Sequence, residues 1–266
     1  MNRVAANGIH LNVLDRGHGA PILFVHGFPL NHTMWHAQLD ALSDQFRVIA
    51  PDLRGFGHSS VMQGTVSMER FADDLNGLID ALGVNETVTL CGLSMGGYIA
   101  LAFARKFGHR LRSLILCDTR AVGDSPEAMA GRKKLAAGVL EHGPELVATA
   151  MLPKLFAVET TDRRPEVVAA VRSMVTSSHP HGIAAALQGM AQRPDSSELL
   201  SQIEVPVLLI VGREDKISTV EEMRTMSQAI KRSEFVEIPA AGHMAPMENS
   251  ESVNAAMRKF LSTRTW

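Results

Sequence analysis

The stretch Val88-Thr-Leu-Cys-Gly92-Leu-Ser94-Met-Gly96-Gly97-Tyr-Ile-Ala-Leu101 decides how the chain is read. It is a short apolar strand, a glycine-flanked serine, and then a helix carrying Ala100, Leu101 and Ala104. Gly92, Ser94 and Gly96 form a G-x-S-x-G pattern. A serine held on a sharp strand-to-helix turn leaves little room for side chains two residues to either side, and glycine has none. Such a turn lifts the hydroxyl above the sheet and sets it at a helix N-terminus. There, unpaired backbone N–H groups can meet a developing negative charge. The bare pattern arises by chance in about one chain in ten of this size, so its flanks and its partners must decide.

Working outward, strand and helix patterns alternate. Residues 9–14 alternate apolar and polar; 22–25 (Ile-Leu-Phe-Val) is a continuous apolar run, as in a strand buried on both faces. Residues 34–42 suit a helix and 46–50 a strand. Ser67 opens a helix with Phe71, Leu75, Leu78, Ile79 and Leu82 at helical spacing, and Gly83 is placed to stop it. Strands follow at 87–91, 111–117, 206–211 and 234–238, with helices at 94–107, 220–230 and 252–261. This alternation predicts an α/β fold with a doubly wound, mostly parallel sheet, whose sites gather beyond the carboxyl ends of the strands. It stops between Asp118 and about Ile203, where 128–140, 144–151, 165–175 and 181–191 read as helices. The expected organisation is a core of residues 1–118 and 204–266, with a helical cap over 119–203.

Composition narrows the function classes. At 266 residues the chain can bury a sizeable core. With 26 basic against 28 acidic residues it shows no electrostatic footprint for nucleic acid or an anionic membrane. Cys91 and Cys117 end apolar runs and read as buried free thiols. Residues 1–8 lack the apolar run of a signal peptide, and no stretch nears the roughly 18 apolar residues of a membrane span. A soluble, cytoplasmic protein is expected.

A serine hydroxyl is a poor nucleophile until a base takes its proton, and the base needs a third group to orient it. An acid stands at a strand end in Gly212-Arg-Glu-Asp215, and a histidine follows the next strand in Gly242-His243. Asp118, in Leu116-Cys-Asp-Thr-Arg120, also ends a strand and is the alternative acid.

These motifs, in this order, together with His26-Gly27-Phe28-Pro29 and Asp52-Leu-Arg-Gly55-Phe-Gly57-His-Ser59, resemble the α/β-hydrolase fold superfamily over nearly the full chain. The resemblance implies a helical cap inserted after the sixth core strand. It implies Ser94 as nucleophile, His243 as general base and then general acid, and Asp215 as the orienting carboxylate; some relatives draw the acid from the position of Asp118. It places the oxyanion hole at the backbone N–H groups of Phe28 and Met95. His26 would steady that loop by hydrogen bonds and Asp52 would brace its own. No cofactor and no metal are implied.

The 92–97 and 114–120 motifs look most like small carboxylesterases and the enol-lactonase group, which hydrolyse small esters or lactones. The His26-Gly-Phe-Pro29 loop departs from enol-lactonases and is similar to that of cofactor-free haloperoxidases. Perhydrolysis and carbon–carbon bond hydrolysis on the same triad are therefore alternatives, and a non-catalytic receptor on the same scaffold is a third. The partner is expected to be a small-molecule ester or lactone, and a homodimer is compatible with the sequence. His179 and His181 read as cap surface, and Lys133-Lys134 and Arg163-Arg164 as solvated surface. Met95, Met151, Met174, Met190, Met244 and Met247 fall near the expected site or cap, to fill core or line an adaptable pocket.

Overall fold

The continuous apolar runs become strands buried at every residue: β3 (Pro21–Val25), β5 (Val88–Leu93) and β7 (Val207–Gly212). With β1 (Asn2–Ala6), β2 (Ile9–Arg16), β4 (Arg47–Pro51), β6 (Leu111–Cys117) and β8 (Ser233–Ile238) they form one eight-stranded sheet, ordered β1-β2-β4-β3-β5-β6-β7-β8. This computed structural model describes residues 1–262. β1 and β2 are antiparallel, as are β2 and β4; every other neighbouring pair is parallel. Strand β1 falls outside the sequence reading because its edge position leaves it largely exposed. It folds back from β2 through Asn7 and Gly8, both at positive φ, the conformation a two-residue Asn-Gly hairpin turn requires.

Helices cover the sheet: α1 (His36–Leu42), α2 (Met68–Ala81) and α3 (Met95–Phe107) between the first six strands. Ser67 caps α2 by accepting the Arg70 N–H, and Phe71, Leu75, Leu78 and Ile79 are buried. Each such side chain contributes about 1.5–3 kcal/mol on burial. Gly83, at φ +65°, lies just past its end. Counting β1, the sixth strand is β6, and only helices follow it before β7. They are α4 (Pro126–His142), α5 (Glu145–Leu155), α6 (Val158–Arg163), α7 (Pro165–Ser177), α8 (Pro180–Ala191) and α9 (Ser197–Leu200). The chain then continues through α10 (Val220–Ala229), α11 (Ala245–Glu248) and α12 (Ser250–Ser262).

The inserted helices press onto the core where glycine removes the side chain. A Cβ on Gly182 of α8 would collide with the Gly55 backbone, and one on Gly189 with Val66. His179 caps α8, its Nδ1 accepting the His181 N–H at 3.2 Å.

The winding reverses at β3, which has β4 on one side and β5 on the other. Loops leaving the carboxyl ends of strands diverge at such a point and open a crevice. The loop after β3 begins His26-Gly27-Phe28, and β5 runs directly into Ser94. Both face that crevice.

Candidate active site

Ser94 sits between β5 and α3 at φ +52°, ψ −111°, a region non-glycine residues rarely occupy. Close packing holds it there. A Cβ on Gly92 would collide with the backbone of Gly96 and Gly97, and one on Gly96 with the Val25 carbonyl. The Ser94 N–H donates to the Cys117 carbonyl at 3.0 Å, and the Thr119 hydroxyl donates to the Ser94 carbonyl at 2.8 Å. Both neighbours lie at or just beyond the end of β6.

The histidine and the acid arrive from the far strands. Asp215 follows β7 and His243 follows β8. His243 Nε2 lies 2.9 Å from Ser94 Oγ, and His243 Nδ1 lies 2.8 Å from Asp215 Oδ2. The second Asp215 oxygen, Oδ1, accepts the N–H groups of Ile217 and Ser218 at 2.7 and 3.1 Å. These bonds fix which carboxylate edge faces the imidazole. His243 and Asp215 are buried, whereas Ser94 keeps partial exposure. The hydroxyl is the member of the three that a ligand meets first.

Asp118, the alternative acid, is fully buried at φ +44°. Its Oδ1 accepts the Gly212 N–H at 2.7 Å, and its Oδ2 has no partner. No hydrogen bond joins it to His243 among the described residues. Burial, and then the charge of nearby Asp215, push its carboxyl well above the usual range.

Phe28 and Met95 flank the serine. Met95 opens α3, where the first backbone N–H groups have no intrahelical acceptor. The loop bearing Phe28 lies against the elbow: a Cβ on Gly27 would come within 3.6 Å of Ser94 Cβ. His26 braces that loop. Its Nδ1–H donates to the Gly27 carbonyl at 2.9 Å, and its Nε2 accepts the Leu53 N–H at 2.9 Å. Burial brings its pKa down from 6.5 to about 4. Asp52 ties the neighbouring loop together, accepting from the His32 ring and N–H, the Asn12 amide and the His58 N–H. Burial alone would raise its carboxyl, but these donors outweigh burial and hold it below the usual range.

The neutral His26 makes stability pH-dependent. Its folded pKa is depressed, so the stabilisation is complete above 6.5 and is lost as pH falls towards 4. Between pH 7 and pH 4 the wild type is expected to lose about 3 kcal/mol more unfolding free energy than His26→Gln. Urea titrations across that range measure it, and parallel curves for the two proteins would refute the assignment.

Sequence reasoning passed over Glu248. It is buried, and its carboxylate accepts the N–H groups of Gly242, Met244 and Ala157 and the Thr160 hydroxyl. Met95, Met174, Met190 and Met244 are core, and Met151 and Met247 pack against it. Met174 and Met247 line a 580 Å³ cleft between α7 and the 31–37 segment, to which none of Ser94, Asp215 and His243 contributes. Cys91 and Cys117 are free and buried. Among the described residues, no helix is long and apolar enough to cross a membrane.

The family model described as alpha/beta hydrolase fold matches residues 20–250. The chain is similar to a solved thermophilic esterase from Thermogutta terrifontis (malate bound), at 49% identity, TM-score 0.96 and 98% coverage of both chains. It is also similar to the enol-lactonase from Burkholderia xenovorans LB400, at 30% identity and TM-score 0.91, covering 98% of this chain and 100% of that one. A curated relative is 3-oxoadipate enol-lactonase 2 of Acinetobacter baylyi, 28% identical over 90% of this chain and 89% of that protein.

Proposed function

The chain belongs to the α/β-hydrolase fold family, and from that premise we propose that it cleaves small carboxylic esters or lactones through an acyl-enzyme on Ser94. The observation that carries this reading is the relay from Ser94 Oγ through His243 to Asp215, with bonds of 2.9 and 2.8 Å. Similarity to an esterase and to enol-lactonases supports the substrate class.

His243 Nε2 takes the Ser94 proton as Oγ attacks the substrate carbonyl carbon. Asp215 fixes the tautomer through Nδ1–H and stabilises the imidazolium that forms. The tetrahedral oxyanion rests against the Met95 and Phe28 N–H groups, and losing one such donor typically costs about 2.7–4 kcal/mol. His243 then protonates the leaving alkoxide; in a lactone this oxygen stays tethered to the acyl group. Water attacks the acyl-enzyme with His243 as base, and Ser94 leaves with the returned proton. The inserted helices act as a cap, an assignment supported by their contacts with both sides of the site. The Leu155 carbonyl accepts the His243 N–H, and the Ser178 hydroxyl donates to the Pro29 carbonyl.

The test is hydrolysis of p-nitrophenyl esters from acetate to decanoate beside a lactone panel, with and without a serine-directed phosphonate. Inhibitable turnover strongest on short chains or lactones is expected. Labelling of Ser94 without turnover of either class would sink the ester–lactone reading and direct attention to peroxide or diketone substrates.

A further inference from the structure

Three consecutive backbone N–H groups run through the loop that carries the histidine, and all three are spent on unusual partners. The Gly242 and Met244 N–H groups both donate to Glu248 Oε1, at 2.9 and 3.0 Å. Between them, the His243 N–H donates to the Leu155 carbonyl, at the end of inserted helix α5, at 2.8 Å. The other Glu248 oxygen reaches the same insertion. Oε2 accepts the Ala157 N–H at 2.8 Å and the Thr160 hydroxyl at 2.7 Å. One carboxylate therefore grips the loop with one oxygen and the inserted helices with the other.

Packing closes the remaining freedom. A Cβ on Gly242 would lie 2.8 Å from Ala157 N, Leu155 O and Phe156 C, so the two backbones touch. The Arg164 guanidinium donates to the Glu248 carbonyl, fixing the clamp's own backbone from α6's far end. Glu248 is 4% exposed, and the four residues that donate to it are themselves buried.

We propose that Glu248 is a positioning residue that locks the backbone on both sides of His243 and latches it to the 155–160 corner, so that a competent triad requires docked cap helices. The proposal rests on the reading of Ser94, His243 and Asp215 as the reacting relay. The ring of His243 meets Ser94 at 2.9 Å on one side and Asp215 at 2.8 Å on the other. A loop free to shift by an ångström loses both contacts at once. Glu248 touches neither substrate nor reacting atoms, and acts through His243.

The full chain and its Glu248→Ala, Glu248→Gln and Thr160→Val variants test this by three readouts. They are the rate of Ser94 labelling by the phosphonate, kcat and KM on p-nitrophenyl acetate, and amide hydrogen exchange over residues 155–161 and 241–249. Glu248→Ala is expected to slow labelling by about 10²-fold, the cost of an ångström-scale misplacement, with kcat falling in parallel and KM little changed. Exchange is expected to accelerate in both segments together. Glu248→Gln keeps one acceptor oxygen and is expected to fall between Ala and wild type. Thr160→Val removes a single hydroxyl on the cap side, and slower labelling there reports the coupling directly.

Wild-type labelling in Glu248→Ala, or in both Gln and Val variants where Ala does not fold, overturns the proposal. So does faster exchange with unchanged labelling, which would make Glu248 a purely structural residue. A wild type that labels at Ser94 but turns over no ester or lactone sinks the substrate reading and leaves the clamp to be judged on labelling and exchange. A wild type that does not label at all overturns both.

Discussion

Ser94→Ala is expected to lower ester turnover by on the order of 10⁶-fold while the protein stays folded. The hydroxyl is the attacking atom in the proposed reaction, and among the described residues its hydrogen-bond partner is His243 Nε2. Its loss removes the covalent route and leaves the backbone frame intact. The Ser94 N–H bond to Cys117 and the Thr119 bond to the Ser94 carbonyl both survive the change. Unfolding free energy should therefore move by no more than about 1 kcal/mol, as for changes that open no core cavity and orphan no buried charge. Residual hydrolysis should still exceed the rate in water by about 10³-fold, because the oxyanion donors and binding contacts remain. Steady-state hydrolysis, a phosphonate-labelling assay and urea unfolding together check this. Turnover near the wild-type level would remove Ser94 from the mechanism.

The elbow was legible because its chemistry is local. Gly92 is demanded by backbone atoms of the same turn and Gly96 by the Val25 carbonyl in the adjoining strand, and both glycines stand within two residues of the serine. Asp215 and His243 were legible because strand ends are readable from apolar runs, and in this fold ligands collect at strand ends. Strand β1 was legible in principle. Asn7-Gly8 is a strong hairpin signal, but Asn2–Ala6 carries too little alternation to point to it. The short helices α6, α9 and α11, of six, four and four residues, are too brief to show a helical period.

Glu248 was illegible for a different reason. Its partners Ala157 and Thr160 stand 91 and 88 residues away, and no spacing in the sequence joins them. A buried carboxylate with several donors is a property of the assembled fold. Asp118 against Asp215 is the same lesson in reverse. Both acids end strands in the sequence, and only the fold separates a carboxylate bonded to the histidine from one buried against the Gly212 N–H.

That separation makes the second large prediction. Asp215→Asn is expected to reduce kcat by about 10⁴-fold, and Asp118→Asn to leave it within a few-fold of wild type. The Ile217 and Ser218 N–H groups point at Asp215 Oδ1. An asparagine must turn its carbonyl oxygen towards them and its NH₂ towards His243. Nδ1 is then forced to accept, the ring proton moves to Nε2, and the imidazole can no longer take the Ser94 proton. At Asp118 the exchange is nearly silent. Burial and the charge of Asp215 already disfavour its ionised form. An amide oxygen can keep the Gly212 N–H bond, with the NH₂ in place of the unpartnered Oδ2. Steady-state kinetics on both variants decide between the two acids. A large loss at Asp118 with little at Asp215 would move the orienting carboxylate to the end of β6.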